Sequence, residues 1–150
     1  YDVEIEEGKI IPQDPYDKIP ESTLLKAQIF LEGEIQCDFI ETKNSEIPMF
    51  IDCGSNFEKI LCPVCGKELN FKWWGETVNN AYKSMFASLK TKLPCCGNII
   101  SLNELKYQFP CGFACWIISI INPIGPIKGR VTDSVQKILG VNVRIIEAHI

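Results

Sequence analysis

The segment FACWIISII, residues 113–121, is the longest mainly apolar stretch of this 150-residue chain. It is too short to cross a bilayer, and Asn122 and Pro123 follow it directly, so no membrane span is predicted here. Its length and its β-branched residues predict a strand that is buried on both faces. This strand opens the most regular third of the sequence.

A helix and a second strand are predicted after residues 113–121. A turn runs through residues 122–126, Thr132 or Asp133 is a candidate cap, and Gly140 is expected to end the helix. From residue 141 apolar and polar side chains alternate, and the alternation changes phase at Ile146, which predicts a β-bulge. A strand–helix–strand order therefore closes the domain.

The first third of the chain is less regular. Residues 1–20 combine prolines with charged residues and are predicted to form an extended acidic arm without regular structure. Ser22 or Thr23 is a candidate cap for a short helix that Gly33 would stop, although Ile29-Phe30-Leu31 could equally begin a strand. Strands are predicted at residues 35–40 and 49–53, on either side of a turn, and are expected to pair as neighbours.

Two cysteine clusters stand out in the middle of the chain: Cys62-Pro63-Val64-Cys65-Gly66 and Pro94-Cys95-Cys96-Gly97. Each is typical of a tight turn that presents sulfurs from one end. Four soft ligands from two such turns suit a tetrahedral structural zinc ion. We therefore predict a zinc site formed by Cys62, Cys65, Cys95 and Cys96.

The second pair of ligands is open to alternatives. Neighbouring side chains of an extended strand point to opposite faces, so Cys95 and Cys96 can both bind only if the backbone bends sharply. Pro94 and Gly97 frame a turn that favours such a bend. Otherwise one of the two binds, and Cys111, Cys53 or His149 supplies the fourth ligand. Three cysteines are predicted to pack as small buried hydrophobes: Cys37, Cys53 and Cys115.

A helix is predicted between the two clusters. Thr77 is a candidate cap, and four apolar residues follow at helical spacing: Val78, Tyr82, Met85 and Leu89. Trp73 and Trp74 precede this helix and are read as strand residues. Adjacent tryptophans in a strand place one ring in the core and one at its rim, and the pair is also a candidate partner surface.

Together these elements predict a single α+β domain spanning residues 1–150. Its sheet is expected to be mixed but mainly antiparallel, with helices on one side. Residues 57–100 are expected to form a zinc-ribbon-like four-cysteine substructure with an inserted helix.

Charge and cysteine usage bear on partners and compartment. Residues 1–58 hold 14 acidic and 4 basic residues, net −10, whereas residues 59–150 hold 5 acidic and 11 basic residues, net +6. Packing of the two halves explains this asymmetry better than a nucleic-acid surface, since the acidic half would repel phosphates. The chain has eight cysteines, and the metal-type spacing of Cys62 and Cys65 with the adjacency of Cys95 and Cys96 indicates reduced thiols and a cytoplasmic protein.

Five further segments accompany the two cysteine motifs: residues 50–58, Ser101-Leu102-Asn103-Glu104-Leu105-Lys106-Tyr107, Gly112-Phe113, Asn122-Pro123 and residues 139–150. Together these motifs and segments resemble a family of small uncharacterised bacterial proteins. The resemblance does not cover the acidic first third. It implies a bacterial cytoplasmic protein with a zinc site at the four cysteines named above.

Three functions fit this sequence. The first, which we favour, is a non-enzymatic binding or adaptor protein with structural zinc and a protein partner. The second is a thiol–disulfide redox protein that uses Cys62 and Cys65, although such a pair normally opens a helix. The third is a nucleic-acid-binding zinc ribbon, with candidate phosphate contacts at Lys67, Lys72, Lys83, Lys90 and Lys92. No phosphate loop, catalytic triad or paired-carboxylate motif indicates a hydrolytic enzyme.

Overall fold

A computed structural model describes residues 7–52, 58–108, 111–125 and 127–148. The elements in chain order are β1 (Glu7–Pro12), α1 (Glu21–Glu34), β2 (Phe39–Ile51), β3 (Lys59–Leu61), α2 (Phe71–Lys83), β4 (Lys90–Lys92), β5 (Ile99–Ser101), a 3₁₀ turn (Leu102–Glu104), β6 (Lys106–Gln108), β7 (Gly112–Ile121), α3 (Gly129–Leu139) and β8 (Val143–Ala148). The predicted α+β class is confirmed. None of the described helices has the length and apolar character needed to cross a membrane.

The main sheet has four strands in the order β2-β7-β1-β8. Every strand pairing in the described residues is antiparallel, so the sheet is antiparallel and not mixed. Strand β7 lies inside the sheet, and all its residues from Gly112 to Ile120 are buried. The prediction of a strand buried on both faces is therefore confirmed.

Strand β1 corrects the predicted arm at residues 1–20. Glu7–Pro12 lies inside the sheet between β7 and β8, and the side chains of Ile10 and Ile11 are fully buried. Consecutive strand residues point to opposite faces, so these two isoleucines enter different apolar clusters. Pro12, which lacks a donor, occupies the last position of the strand, beyond Ile10, the last residue that pairs with β7.

Strand β2 corrects the two predicted strands at residues 35–40 and 49–53. Phe39–Ile51 is one long edge strand, and both of its ends pair with β7 instead of with each other. The register shifts between Asn44 and Met49, where the chain bulges and accommodates Pro48. An edge strand tolerates such a bulge and a proline because only one side of its ladder is paired.

The ends of the other helices and strands also differ from prediction. Helix α1 has Pro20 at its N-cap and continues through Gly33, whereas α3 begins at Gly129 and ends, as predicted, at Gly140 with a φ of 75°. Strand β8 pairs with β1 without interruption, so the predicted bulge at Ile146 is wrong. The alternation of apolar and polar residues changes phase at Ile146 because both faces of β8 are covered by other parts of the protein.

Two apolar clusters cover the two faces of the sheet. Helices α1 and α3 contact each other and pack on the first face, which we call the helix side. Residues of β3 to β6 and of the segments between them pack on the second face, the cysteine side. Leu24, Leu31 and Val135 are buried on the helix side, and Ile60, Leu102 and Phe113 on the cysteine side.

A polar network joins the cysteine side to the sheet. Asn103 Oδ1 accepts hydrogen bonds from Phe113 N at 2.8 Å and from Arg144 Nη2 at 3.0 Å, and Asn103 Nδ2 donates to Gln13 O at 3.2 Å. Glycine at residue 112 leaves room for this network, since a Cβ there would overlap the Arg144 guanidinium and push it away from Asn103. These contacts fix the 3₁₀ turn before β6 against β7, β8 and the residue that follows β1.

Candidate metal centre

The first cysteine turn follows directly from β3. Cys62 N donates to Lys67 O at 2.8 Å, and Gly66 N donates to Cys62 O at 3.0 Å. Gly66 has a φ of 78°, which favours glycine. The backbone N–H groups of Val64 and Cys65 both point at Cys62 Sγ, each at 3.4 Å. This turn therefore presents a sulfur with two amide donors already aimed at it.

The second cysteine turn joins β4 to β5 and has the same backbone hydrogen bonds. Leu93 N donates to Asn98 O at 2.8 Å, Gly97 N donates to Leu93 O at 3.0 Å, and Gly97 has a φ of 74°. When the two turns are matched by these hydrogen bonds, Leu93 corresponds to Cys62 and Cys96 corresponds to Cys65. The second turn is thus a cysteine turn whose first cysteine is replaced by leucine.

The equivalence of the turns was missed in the sequence, although a signal was present. Residues 62–67 read CPVCGK and residues 93–98 read LPCCGN, so proline, cysteine and glycine recur at the same three positions. Cys95 occupies the position of Val64, between the two positions that supply sulfurs in the first turn. This arrangement provides the bend that the Cys95–Cys96 pair requires.

The four predicted cysteines come together at one point. The Sγ atoms of Cys62, Cys65, Cys95 and Cys96 all lie within 4.8 Å of one another. Cys65 Sγ is 3.4 Å from Cys95 Sγ, and Cys62 Sγ is 3.9 Å from Cys96 Sγ. Four thiolates at about 2.3 Å from a tetrahedral zinc ion would stand about 3.8 Å apart. The cluster therefore has the dimensions of a four-sulfur metal site.

The other candidate ligands are placed elsewhere or lie outside the described residues. Cys111 is buried in the cysteine-side cluster and is not a member of the four-sulfur group. Cys53 and His149 belong to the parts of the chain that are not described. Cys115 is buried, and Cys37 packs half-buried against the helix-side cluster. No disulfide links the seven described cysteines.

The four thiols differ in environment. Burial opposes ionisation of Cys62, but the N–H groups of Cys65 and Val64 and the neighbouring thiols outweigh it and lower the pKa of Cys62 to about 6. Burial raises the pKa of the Cys95 thiol, and so do hydrogen bonds in which its S–H group donates to the sulfurs of Cys65, Cys62 and Cys96. Asn98 Nδ2 lies 3.2 Å from Cys96 Sγ. Cys65 and Cys96 are exposed, whereas Cys62 is buried.

Helix α2 starts earlier than predicted and includes both tryptophans. Asn70 caps it by accepting hydrogen bonds from Lys72 N and Trp73 N, so Thr77 is not the cap. Thr77 Oγ1 instead donates back to Trp73 O at 2.8 Å. The helix also ends before Met85, which has a φ of 56° and is exposed. An Asn cap satisfies the free amides at the start of the helix, and this overrides the strand propensity of tryptophan.

Trp73 and Trp74 are both half-buried against the cysteine-side cluster. The Trp74 ring lies 5.1 Å from the Phe50 ring and 6.2 Å from the Tyr107 ring, in edge-on geometry. Trp74 Nε1 donates to Tyr107 Oη, which donates in turn to Leu102 O. These contacts attach α2 to β2 and β6 on the cysteine side of the sheet.

The segment that carries the cysteine turns is basic. Residues 59–108 contain seven lysines and three glutamates. The predicted phosphate contacts Lys67, Lys72, Lys83, Lys90 and Lys92 are all exposed. Comparison of the chain with protein-family models, curated proteins and solved structures gave no match.

Proposed function

We propose that this protein is a non-enzymatic binding protein in which a zinc ion, held by Cys62, Cys65, Cys95 and Cys96, stabilises the surface that meets a protein partner. The observation that carries the proposal is the convergence of four sulfurs within 4.8 Å. Four thiolates favour zinc over harder divalent cations and leave no open coordination position for substrate. The reduced thiols that this site needs fit a cytoplasmic location.

A structural role for the metal is supported by the shortness of the elements around it. Strands β3, β4, β5 and β6 have three residues each, and no residue of α2 is fully buried. A metal that ties the two turns together would supply folding free energy that such short elements lack. A redox role for Cys62 and Cys65 is less favoured, because α2 begins only at Phe71 and its N-terminus does not adjoin Cys62.

The proposed partner surface is the solvent-facing side of α2. Trp73 and Trp74 lie at the amino end of this helix. Tyr82, in the last turn of this helix, is 60% exposed, and Met85, just after the end of the helix, is 67% exposed. Exposed aromatic and methionine side chains are typical of binding surfaces. The lysine excess of residues 59–108 favours a partner with an acidic surface.

The metal can be tested on protein purified under anaerobic conditions without added zinc. We expect about one zinc ion per chain and, after exchange with Co²⁺, the visible spectrum of a tetrahedral four-thiolate site. Cys96→Ala should reduce the zinc content and change that spectrum, because one sulfur is lost. Metal-free protein with a stable fold would contradict the proposal.

The partner surface can be tested by photo-crosslinking in cells. A photoreactive residue at position 82 should give a discrete crosslinked protein, and position 29 on α1 is the matched control because Ile29 is also 60% exposed. The crosslink should disappear in the Cys96→Ala background. Equal products from both positions, or a crosslink to nucleic acid alone, would count against a protein partner at α2.

A further inference from the structure

The four sulfurs of the candidate site are not equivalent. Cys62 Sγ has two backbone N–H groups within 3.4 Å, and Cys96 Sγ accepts the Asn98 amide at 3.2 Å. Within the described part of the chain, no N–H group donates to the sulfurs of Cys65 or Cys95, which contact each other at 3.4 Å. N–H donors hold a thiolate in place and reduce its reactivity, so Cys65 and Cys95 are the less protected pair.

The position of Cys95 adds to this asymmetry. In the first turn the sulfurs come from the first and fourth positions, whereas Cys95 stands at the third position of its turn, next to Cys96. Leu93 fills the first position and is buried in the cysteine-side cluster. Cys95 must therefore reach the common point from a place that the turn does not normally use.

We propose that Cys65 and Cys95 form a modification site at which a hydroperoxide produces a disulfide and thereby releases the metal. This inference rests on the proposed zinc site and adds a means of control to it. Cys65 is exposed and can meet the oxidant, and its neighbour Cys95 can resolve the product. Loss of two of four ligands would leave the ion bound by Cys62 and Cys96 alone.

The reaction balances without any further reagent. The Cys65 thiolate attacks the O–O bond of the hydroperoxide, which yields a Cys65 sulfenic acid and, after protonation, the alcohol or water. The Cys95 thiolate then attacks the Cys65 sulfur, forming the S–S bond and expelling hydroxide, which is protonated to water. The two sulfurs lose two electrons in total, the peroxide gains them, and the zinc ion does not change its oxidation state.

Geometry favours this pair over the adjacent Cys95–Cys96 pair and over the pairs that include Cys62. Cys95 and Cys96 are adjacent and would form a strained vicinal disulfide. Cys62 is buried, and a disulfide from it would weaken its two amide contacts. A bond between Cys65 and Cys95 would join the two turns where their sulfurs are 3.4 Å apart, compared with 3.9 Å between Cys62 and Cys96.

The experiment uses the full chain with its zinc content measured first under reducing, anaerobic conditions. Hydrogen peroxide is then added, zinc release is followed with a chromogenic chelator, and the disulfides are mapped by non-reducing proteolysis and mass spectrometry. We expect one zinc ion released per disulfide, with Cys65 linked to Cys95. A map dominated by Cys62–Cys65 or Cys95–Cys96, or zinc retained through complete oxidation, would overturn the inference.

The double variant Leu93→Cys with Cys95→Val is the matched control, since its second turn repeats the first as CPVCG. It should still bind zinc but release it at least about tenfold more slowly, because the unprotected neighbour of Cys65 is gone. Cys95→Ser is a second variant if the double variant does not fold. Without the Cys95 thiol the disulfide cannot form, so the oxidation should stop at the Cys65 sulfenic acid. Release as fast as in the parent would refute the proposal.

Failure of this inference can be told apart from failure of the proposed function. Zinc content before oxidation reports on the proposed function alone. If the reduced protein carries no zinc, the proposed function fails, and the disulfide map of the metal-free protein still decides whether Cys65 and Cys95 pair.

Discussion

Cys62→Ser is expected to lower zinc affinity more than any other single substitution in this chain. Cys62 is the buried sulfur of the cluster and the one with two amide donors, so serine would remove a thiolate from the best-prepared position. Changes in groups that merely orient ligands lower metal affinity by about 10–100-fold, and loss of a ligand should exceed about 100-fold. Competition with a chelator of known zinc affinity measures the change.

The same variant should also alter the structure around the metal. With the tie between the turns lost, amide hydrogen exchange should become faster in β3 to β6, while the amides of β7 and α3 remain protected. Cys37→Ser is the control, because Cys37 lies half-buried outside the four-sulfur group. Unchanged zinc affinity in Cys62→Ser, or an equal loss in Cys37→Ser, would exclude the proposed ligand set.

Phe113→Ala should reduce the free energy of unfolding by about 3–5 kcal/mol, the range for large aromatic-to-alanine changes in a core. Phe113 is fully buried on β7, and its ring lies 5.3 Å from the Phe50 ring and 5.6 Å from the Phe86 ring. It thus joins the central strand to β2 and to the segment after α2. The cavity would open where the cysteine side meets the sheet.

Urea denaturation monitored by tryptophan fluorescence can measure this loss. Phe39→Ala is the matched control, since Phe39 is 54% exposed on the edge strand and its removal should change stability by less than about 0.5 kcal/mol. Similar values for the two variants would show that Phe113 is not a core residue. Both measurements should be made on zinc-saturated protein, so that metal binding contributes equally.

Local patterns decided what could be predicted correctly about the fold. The segment at residues 113–121 is apolar on both faces, so it must be buried in any fold of this chain. Its strand was therefore predictable without knowledge of the strands beside it. Gly140 ended α3 as predicted, because a left-handed C-cap strongly favours glycine. The four cysteines were predictable for the same reason, since short turns with fixed spacing bring sulfurs together locally.

Predictions failed where two segments compete for the same partner. The predicted strands at residues 35–40 and 49–53 look like two strands of a hairpin. In the structure, residues 39–44 and 49–51 both pair with β7, and the residues between them form a bulge. No feature of the local sequence shows whether these two segments pair with each other or with a third strand. Likewise, Glu7–Pro12 resembles an arm until β7 and β8 are placed on either side of it.

The sequence by itself thus determined the central strand, the α+β class and the identity of the four clustered thiols, because each depends on composition or spacing within a short segment. Only the tertiary structure decided the strand order β2-β7-β1-β8, the inclusion of Trp73 and Trp74 in α2, and the different surroundings of the four sulfurs. These features depend on contacts between residues far apart in the chain, and the free energy of those contacts is not encoded in any one segment.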